Sequence, residues 1–199
     1  SEKLLGKTGS LRSLTRPFRK KARHLVRLPL ARMKRSRIEA KIVAITGSSG
    51  KSTATILISR FLQTRYATRE QIYQNTISAC MRTLRNAVPD DEYIVIETGA
   101  TVPGSVVEMG SLLKPDVAVV TMVAVEHRSA FKTIENVAKE KGALVEAVAE
   151  GGFAVLNADD ANVMAMAERT KQRVDTFGHM NDADYRVVEL GLADSGTME

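Results

Sequence analysis

Beyond residue 40 the chain alternates between short apolar runs and longer stretches that mix apolar with polar positions. Residues 41–46, 93–97, 117–121, 153–156 and 174–177 read as strands. The run at 117–121 is apolar up to Thr121, of the kind expected where helices cover both faces of a parallel sheet. Residues 51–63, 77–84, 134–150 and 161–170 read as helices, with Ile56, Leu57 and Phe61 of the first expected to face the sheet. Residues 185–190 read as one more strand, and the polar residues 191–199 have no element to complete them. This order predicts an α/β fold, three layers with a mostly parallel central sheet. Ligands in such sheets collect beyond the C-terminal strand ends, where Gly47, Glu97, Glu126 with His127, and Asn157 with Asp159 all emerge.

The N-terminal segment has a different pattern. Leu11, Leu14, Phe18, Ala22 and Leu25 recur at helical spacing, with Arg12, Arg16, Lys20, Arg23 and Arg27 among them. Pro17 suits a helix start, and Pro29 is expected to end or kink that helix before residues 31–37 continue the basic run. Charge sharpens the division: the net +6 conceals +12 over residues 1–41 and −6 over residues 42–199. The expected organisation is a basic helical arm over residues 1–40 and a globular domain over 41–199, incomplete at its C-terminal end. A basic amphipathic helix suits an anionic membrane surface, here through residues 10–37, a partner subunit, or the acidic body itself. Nucleic acid is disfavoured, because no RNA-binding aromatic signature or zinc ligand set accompanies the arm. The single cysteine, Cys80, excludes an intrachain disulfide, and there is neither a long apolar span nor a signal-peptide pattern. The expected location is cytoplasmic, peripheral at the inner face of the membrane.

The chemistry centres on TGSSGKST, that is Thr46, Gly47, Ser48, Ser49, Gly50, Lys51, Ser52 and Thr53, between a predicted strand and a predicted helix. Amide N–H groups of such a turn lack helical partners and converge on an anion. The common G-x-x-x-x-G-K-[ST] pattern needs glycine at position 45, where this chain has Ile45, so the form present is the shorter G-x-x-G-K-S. Lys51 supplies a cation for terminal phosphates, and the Ser52 hydroxyl suits a magnesium shell. The competing reading is a plain turn in which Ser48 or Ser49 caps the helix. Glu97 ends an apolar strand, where a carboxylate is costly without a cation or donors, which suits a magnesium ligand or a solvent-facing strand end. For His127 the roles open are metal ligation, phosphate positioning or a water-facing side chain. Lys141 has Val137, Ala138, Leu144 and Val145 as helical neighbours, which puts it on an apolar face. It either snorkels to the sheet edge or, deprotonated by burial, takes up carbon dioxide as a magnesium-binding carbamate. Asn157, Asp159 and Asp160 suit turns and helix caps, and one of them suits adenine or ribose.

These residues, taken in order, resemble the central ATPase domain of the Mur ligases, most of all the kind that adds D-alanyl-D-alanine in peptidoglycan precursor synthesis. The resemblance rests on TGSSGKST at 46–53, ETGATVPG at 97–104, PDVAVVT at 115–121, His127, VAKEKGALVE at 137–146, AVLNADD at 154–160 and TFG at 176–178. It departs at Met122, where the family often has asparagine, and around Asn75, which has Gln74 before it and Ile77 after it in place of a further polar residue. The resemblance implies that residues 41–199 are a central ATP-binding domain, that Lys51 and the loop amides hold ATP phosphates and that Ser52 and Glu97 serve one magnesium. It implies a second magnesium on His127 and a carbamylated Lys141, and an adenine contact at Asn157. The implied activity is ATP-dependent amide ligation, in which a carboxylate is activated as an acyl phosphate and attacked by an amine, for a peptidoglycan precursor or an amino-acid polymer. The implied partners are those carboxylate and amine substrates and a C-terminal domain or partner subunit. The alternative is a non-catalytic ATP-binding scaffold recruited through its basic arm.

Overall fold

Strand β1 (Lys41–Thr46) pairs in parallel with β3 (Tyr93–Glu97) on one side and with β4 (Val117–Val120) on the other. The computed structural model describes residues 26–125, 128–179 and 182–188. The helix expected over residues 11–25, the pair Glu126 and His127, residues 189–190 of the last expected strand and the tail 191–199 lie outside the described residues. Outward from β3 lies β2 (Thr68–Gln71), and outward from β4 lie β5 (Phe153–Asn157), β6 (Arg173–Gly178) and β7 (Tyr185–Arg186). The sheet order is β2-β3-β1-β4-β5-β6-β7 with parallel pairing throughout the described residues, the α/β architecture expected from the alternation.

Side chains of the central strands alternate between two apolar layers. Ile42, Ala44, Ile94, Ile96, Val120 and Leu156 meet α3 (Ile77–Asn86), α4 (Ser105–Leu113) and α6 (Ile134–Glu146). On the other face Val43, Ile45, Val95 and Val119 meet α2 (Lys51–Gln63). Beside α2 that face stays open, and Val117, Val119, Phe153, Val155 and Phe177 line an apolar groove of about 710 Å³.

The inward face of α2 differs from expectation. Ala54, Ile58 and Leu62 pack on the sheet and Thr55 and Ser59 are buried, whereas Leu57 and Phe61 are 63% and 79% exposed and Ile56 is half-buried. The helix is phased by its first turn: Ser52 faces the end of β3, which leaves Leu57 and Phe61 on the opposite side. Polar residues at the inward positions mislead a reading based on hydrophobicity, and Thr55 pays no penalty because its hydroxyl donates to the Lys51 carbonyl at 2.8 Å.

Three elements were not foreseen: β2, whose TREQ sequence is wholly polar, α4, and the single turn α5 (Arg128–Phe131). The helix expected over 161–170 splits into α7 (Ala161–Met164) and a 3-10 turn, Ala165–Arg169. Helix α6 stops at Glu146 because the chain must turn through Gly151, at φ +76°, to enter β5.

Residues 26–35 form helix α1, which passes through Pro29 instead of ending there. The ring removes one donor, and the helix beyond it is held by the body. Ala31 is buried and Leu28 packs on the core. The Arg35 guanidinium donates to the carbonyls of Leu113 and Lys114 at 2.6 and 3.1 Å, satisfying the C-terminal end of α4, and lies 3.7 Å from Asp116. Burial lowers the Arg35 pKa and Asp116 opposes that shift. Among the described residues no helix is long and apolar enough to cross a membrane.

Cys80, on the buried face of α3, has its thiol pushed by burial up to about 12 from an ordinary value of 9.0. The unfolded chain therefore releases this proton at lower pH than the folded one, so stability is fully present below about pH 9 and declines as pH rises toward 12. Iodoacetamide at pH 8 should leave Cys80 unmodified in the native protein and label it in urea, as read by intact mass. Native labelling at the urea rate would show the thiol to be accessible.

Candidate functional site

The sheet order makes a crevice at one place. From β1 the chain travels through α2 to β2 at one edge, whereas from β3 it travels through α4 to β4 on the far side of β1. Connections thus diverge over the C-terminal end of β1, the place where parallel sheets of this kind accept ligands. Residues 46–53 occupy it.

The loop is shaped by β4 as much as by its own glycines. A Cβ on Gly47, at φ +153°, would lie 1.9 Å from Thr121 Oγ1, and Gly50 is left-handed at φ +78°. Thr121 Oγ1 donates to the Ser49 carbonyl at 2.6 Å and the Ser48 N–H donates to the Met122 carbonyl at 2.8 Å. Ser48 Oγ donates to the Ala124 carbonyl at 3.0 Å and accepts from the Ala124 N–H at 2.9 Å. Neither serine caps α2: its N-cap is Gly50, and no side chain satisfies the first-turn amides. The N-terminal end of α2 therefore keeps its positive dipole and amide donors for an anion.

Around this cradle the side chains are ordered by their neighbours. Lys51 Nζ donates to the Gly47 carbonyl at 2.7 Å, folded back over the loop. Ser52 Oγ donates to Glu97 Oε2 at 2.8 Å, and Glu97, 3% exposed, also accepts the Tyr73 N–H at 3.2 Å. Tyr73 is itself left-handed, at φ +61°. Thr46 Oγ1 is buried without a protein partner, and Thr53 is exposed. Asn75 packs so closely on Gly99 that a Cβ there would lie 2.6 Å from its amide carbon.

Asn157 Nδ2 donates to the Thr121 carbonyl at 2.8 Å, which ties the end of β5 to the end of β4. Asp160 caps α7 through the Asn162 and Val163 amides and accepts the Val123 N–H at 2.7 Å, while Asp159 accepts the His179 N–H at 2.9 Å. The helix-capping role expected in this cluster is therefore filled by Asp160, whereas Asp159 binds the backbone just after β6. Lys141 is fully buried, with Val137, Leu144 and Val145 equally enclosed, so its tip does not snorkel to the sheet edge. Helix α6, which carries it, packs on β1 and β4. His127 lies outside the described residues. Among the described residues no three His, Cys, Asp or Glu side chains cluster as a metal site.

Sequence reasoning missed the residue beside Lys141. Glu140 accepts the Gly104 and Val106 N–H groups, each at 2.8 Å, and so caps α4, whose own N-cap residue is a glycine. This joins the Glu97 loop to the Lys141 helix, across 34 residues of sequence. Glu140→Gln should cost about 1–3 kcal/mol in a urea titration, because the amide offers one acceptor where two donors converge. An unchanged midpoint would mean that the cap carries no stability.

Comparison with known proteins agrees with this geometry. The family model of the Mur ligase middle domain matches residues 45–199. The UDP-N-acetylmuramoyl-tripeptide–D-alanyl-D-alanine ligase of Escherichia coli (strain K12) is 38% identical over 136 residues, which are 66% of this chain and 29% of that protein. The cyanophycin synthetase of a Synechocystis strain is 36% identical over 152 residues, 68% of this chain and 17% of that protein. The crystal structure of the MurF ligase of Thermotoga maritima in complex with ADP superposes with a TM-score of 0.76 at 24% identity, over 84% of this chain and 39% of that one. The chain spans less than a third of the length of these two curated relatives. Its parallel sheet, its loop of residues 46–53 and the family match over residues 45–199 have one common reading: the chain belongs to the Mur ligase middle-domain family.

Proposed function

We propose that the chain is the ATP-binding module of an ATP-dependent amide ligase that acts on a peptidoglycan precursor or an amino-acid polymer. The observation that carries the reading is the Ser52–Glu97 hydrogen bond beneath an uncapped, glycine-shaped helix N-terminus. The residues present fit Mg-ATP: hydroxyl and carboxylate oxygens are the hard donors magnesium prefers, and the uncapped α2 amides suit an anion. Lys51 and the amides of residues 47–53 hold the phosphates, Ser52 and Glu97 hold the metal, and Asn157 contacts adenine. His127 and Lys141, the latter as a carbamate, hold a second magnesium. When bound, magnesium neutralises charge on the transferred phosphoryl group. A substrate carboxylate oxygen attacks the γ-phosphorus and ADP departs. An amine then attacks the acyl carbon, loses a proton and releases phosphate, leaving an amide. Both substrates and the closing domain belong to the complete ligase.

Titration of Mg-ATP into the folded chain tests the module, with Lys51→Ala expected to weaken binding by about 100-fold. Folded wild-type protein that binds no ATP in the presence of magnesium overturns the reading. The carbamate predicts a mass increase of about 44 Da on the peptide containing Lys141, read under conditions that retain carbon dioxide. ATP binding without amide formation by the complete protein would leave a scaffold in place of a ligase.

A further inference from the structure

Helix α1 has a second face that the docked body does not use. Leu28, Ala31 and Arg35 turn inward, whereas Val26, Leu30 and Met33 are 64%, 54% and 49% exposed. Their spacing of four and three residues puts these three on one outward stripe. Arg27 and Lys34 lie along the α3 side of the stripe, and with Arg82 and Arg85 of α3 they line the same hollow as Leu30 and Met81. No Asp or Glu occurs in residues 26–38 or in α3. Residues 1–25, which lead into α1, add eight Lys or Arg against one acid, while residues 42–199 carry a net −6. One positive, apolar-centred face thus stands on an otherwise acidic body.

We propose that this α1–α3 face seats the protein on an anionic lipid bilayer, with Val26, Leu30 and Met33 entering the headgroup boundary and Arg27, Lys34, Arg82 and Arg85 meeting lipid phosphates. Exposed apolar residues beside a cluster of cations fit an interfacial helix, and the acidic remainder of the surface makes an anionic bilayer accept this orientation over others. A nucleic acid would use the cations and leave the apolar stripe idle. Helix α1 is anchored beside Lys114 and Asp116, at the N-terminal ends of the strands, whereas residues 46–53 lie beyond the C-terminal ends. The bound protein therefore keeps its phosphate loop away from the lipid. The inference does not depend on ligase activity.

Co-sedimentation of the full chain with phosphatidylcholine vesicles containing about one third phosphatidylglycerol tests it, with pure phosphatidylcholine as the comparison. Arg82→Glu with Arg85→Glu should weaken vesicle binding by more than about tenfold, at roughly fivefold for each cation lost near the surface. Leu30→Ser with Met33→Ser should weaken vesicle binding severalfold and leave binding to a single-stranded DNA oligonucleotide unchanged. Mg-ATP affinity and the thermal midpoint of both variants should match the wild type, which separates loss of this face from loss of the fold or of the nucleotide site. Vesicle binding by Arg82→Glu/Arg85→Glu within twofold of wild type would assign lipid contact to residues 1–25 alone and overturn the proposal. Oligonucleotide that displaces the protein from vesicles, with the serine variant unaffected in both assays, would overturn it in favour of nucleic acid.

Discussion

Gly47→Ala is expected to weaken Mg-ATP binding by at least about 100-fold, because the added methyl displaces the proposed phosphate cradle, where an error of about 1 Å is costly. Its Cβ would lie 1.9 Å from Thr121 Oγ1 and 3.2 Å from the Met122 nitrogen. The hydroxyl has no free direction to move, since it holds the Ser49 carbonyl at 2.6 Å, so relief at Gly47 loosens the second half of the loop. The backbone at φ +153° adds its own penalty, and a stability loss of about 1–3 kcal/mol should accompany the loss of affinity. Gly151→Ala separates the two effects. That residue also has positive φ, +76°, but has nothing within 4 Å of its Cβ position. It should lose about 1–2 kcal/mol for conformation alone and bind nucleotide normally. Adding Thr121→Ala to Gly47→Ala removes the closest atom and should recover part of the affinity. Wild-type nucleotide affinity in Gly47→Ala, measured by calorimetry, would rule out the contact as the determinant of loop shape.

The second large effect concerns Lys141, which is fully buried on α6. Lys141→Ala leaves a cavity where the stem was and should lose about 2–4 kcal/mol, together with about 10²–10⁴-fold of the turnover of the proposed ligase. Lys141→Met fills the same space with an apolar chain and loses the turnover equally. The two variants should part company in acetate. A small carboxylate enters the cavity of the alanine variant and restores anionic oxygens there, whereas the methionine variant has no room for it. Turnover measured against acetate concentration should rise for alanine and stay flat for methionine. A folded alanine variant that gains nothing from acetate would remove the carbamate from the proposed mechanism.

The sequence announced the strands of the central sheet because each is a short apolar run, and it announced the loop because Gly47, Gly50, Lys51 and Ser52 are contiguous. Ser52 and Glu97 were brought together only by the family resemblance, as sharers of one magnesium, and the structure joins them by a hydrogen bond. The phase of α2 was not legible. Thr55 and Ser59 occupy its buried face while Leu57 and Phe61 face outward, because the first turn must present Ser52 to β3 before any apolar stripe is satisfied. β2 escaped notice as a polar edge strand, held to β3 by backbone pairing from Thr68 to Gln71. Glu140 and Thr121 act through contacts 34 and 72 residues away along the chain, at Val106 and Ser49, and a linear pattern carries no sign of such distances. The Mur ligase resemblance recovered the family, but geometry alone supplied these supports.

The contacts from Thr121, Met122 and Ala124 to the loop of residues 46–53 have a bearing on how the protein is made. During synthesis the loop residues leave the ribosome long before β4 does, and until β4 docks beside β1 nothing holds Ser48 and Ser49 in place. Anion binding therefore cannot act as an early local nucleus. It arrives with the closing of non-local parallel pairing, a slow step for chains of this topology. Nucleotide added to a refolding reaction should accordingly slow unfolding and leave the folding rate unchanged, so that ATP protects the finished domain without hastening its formation.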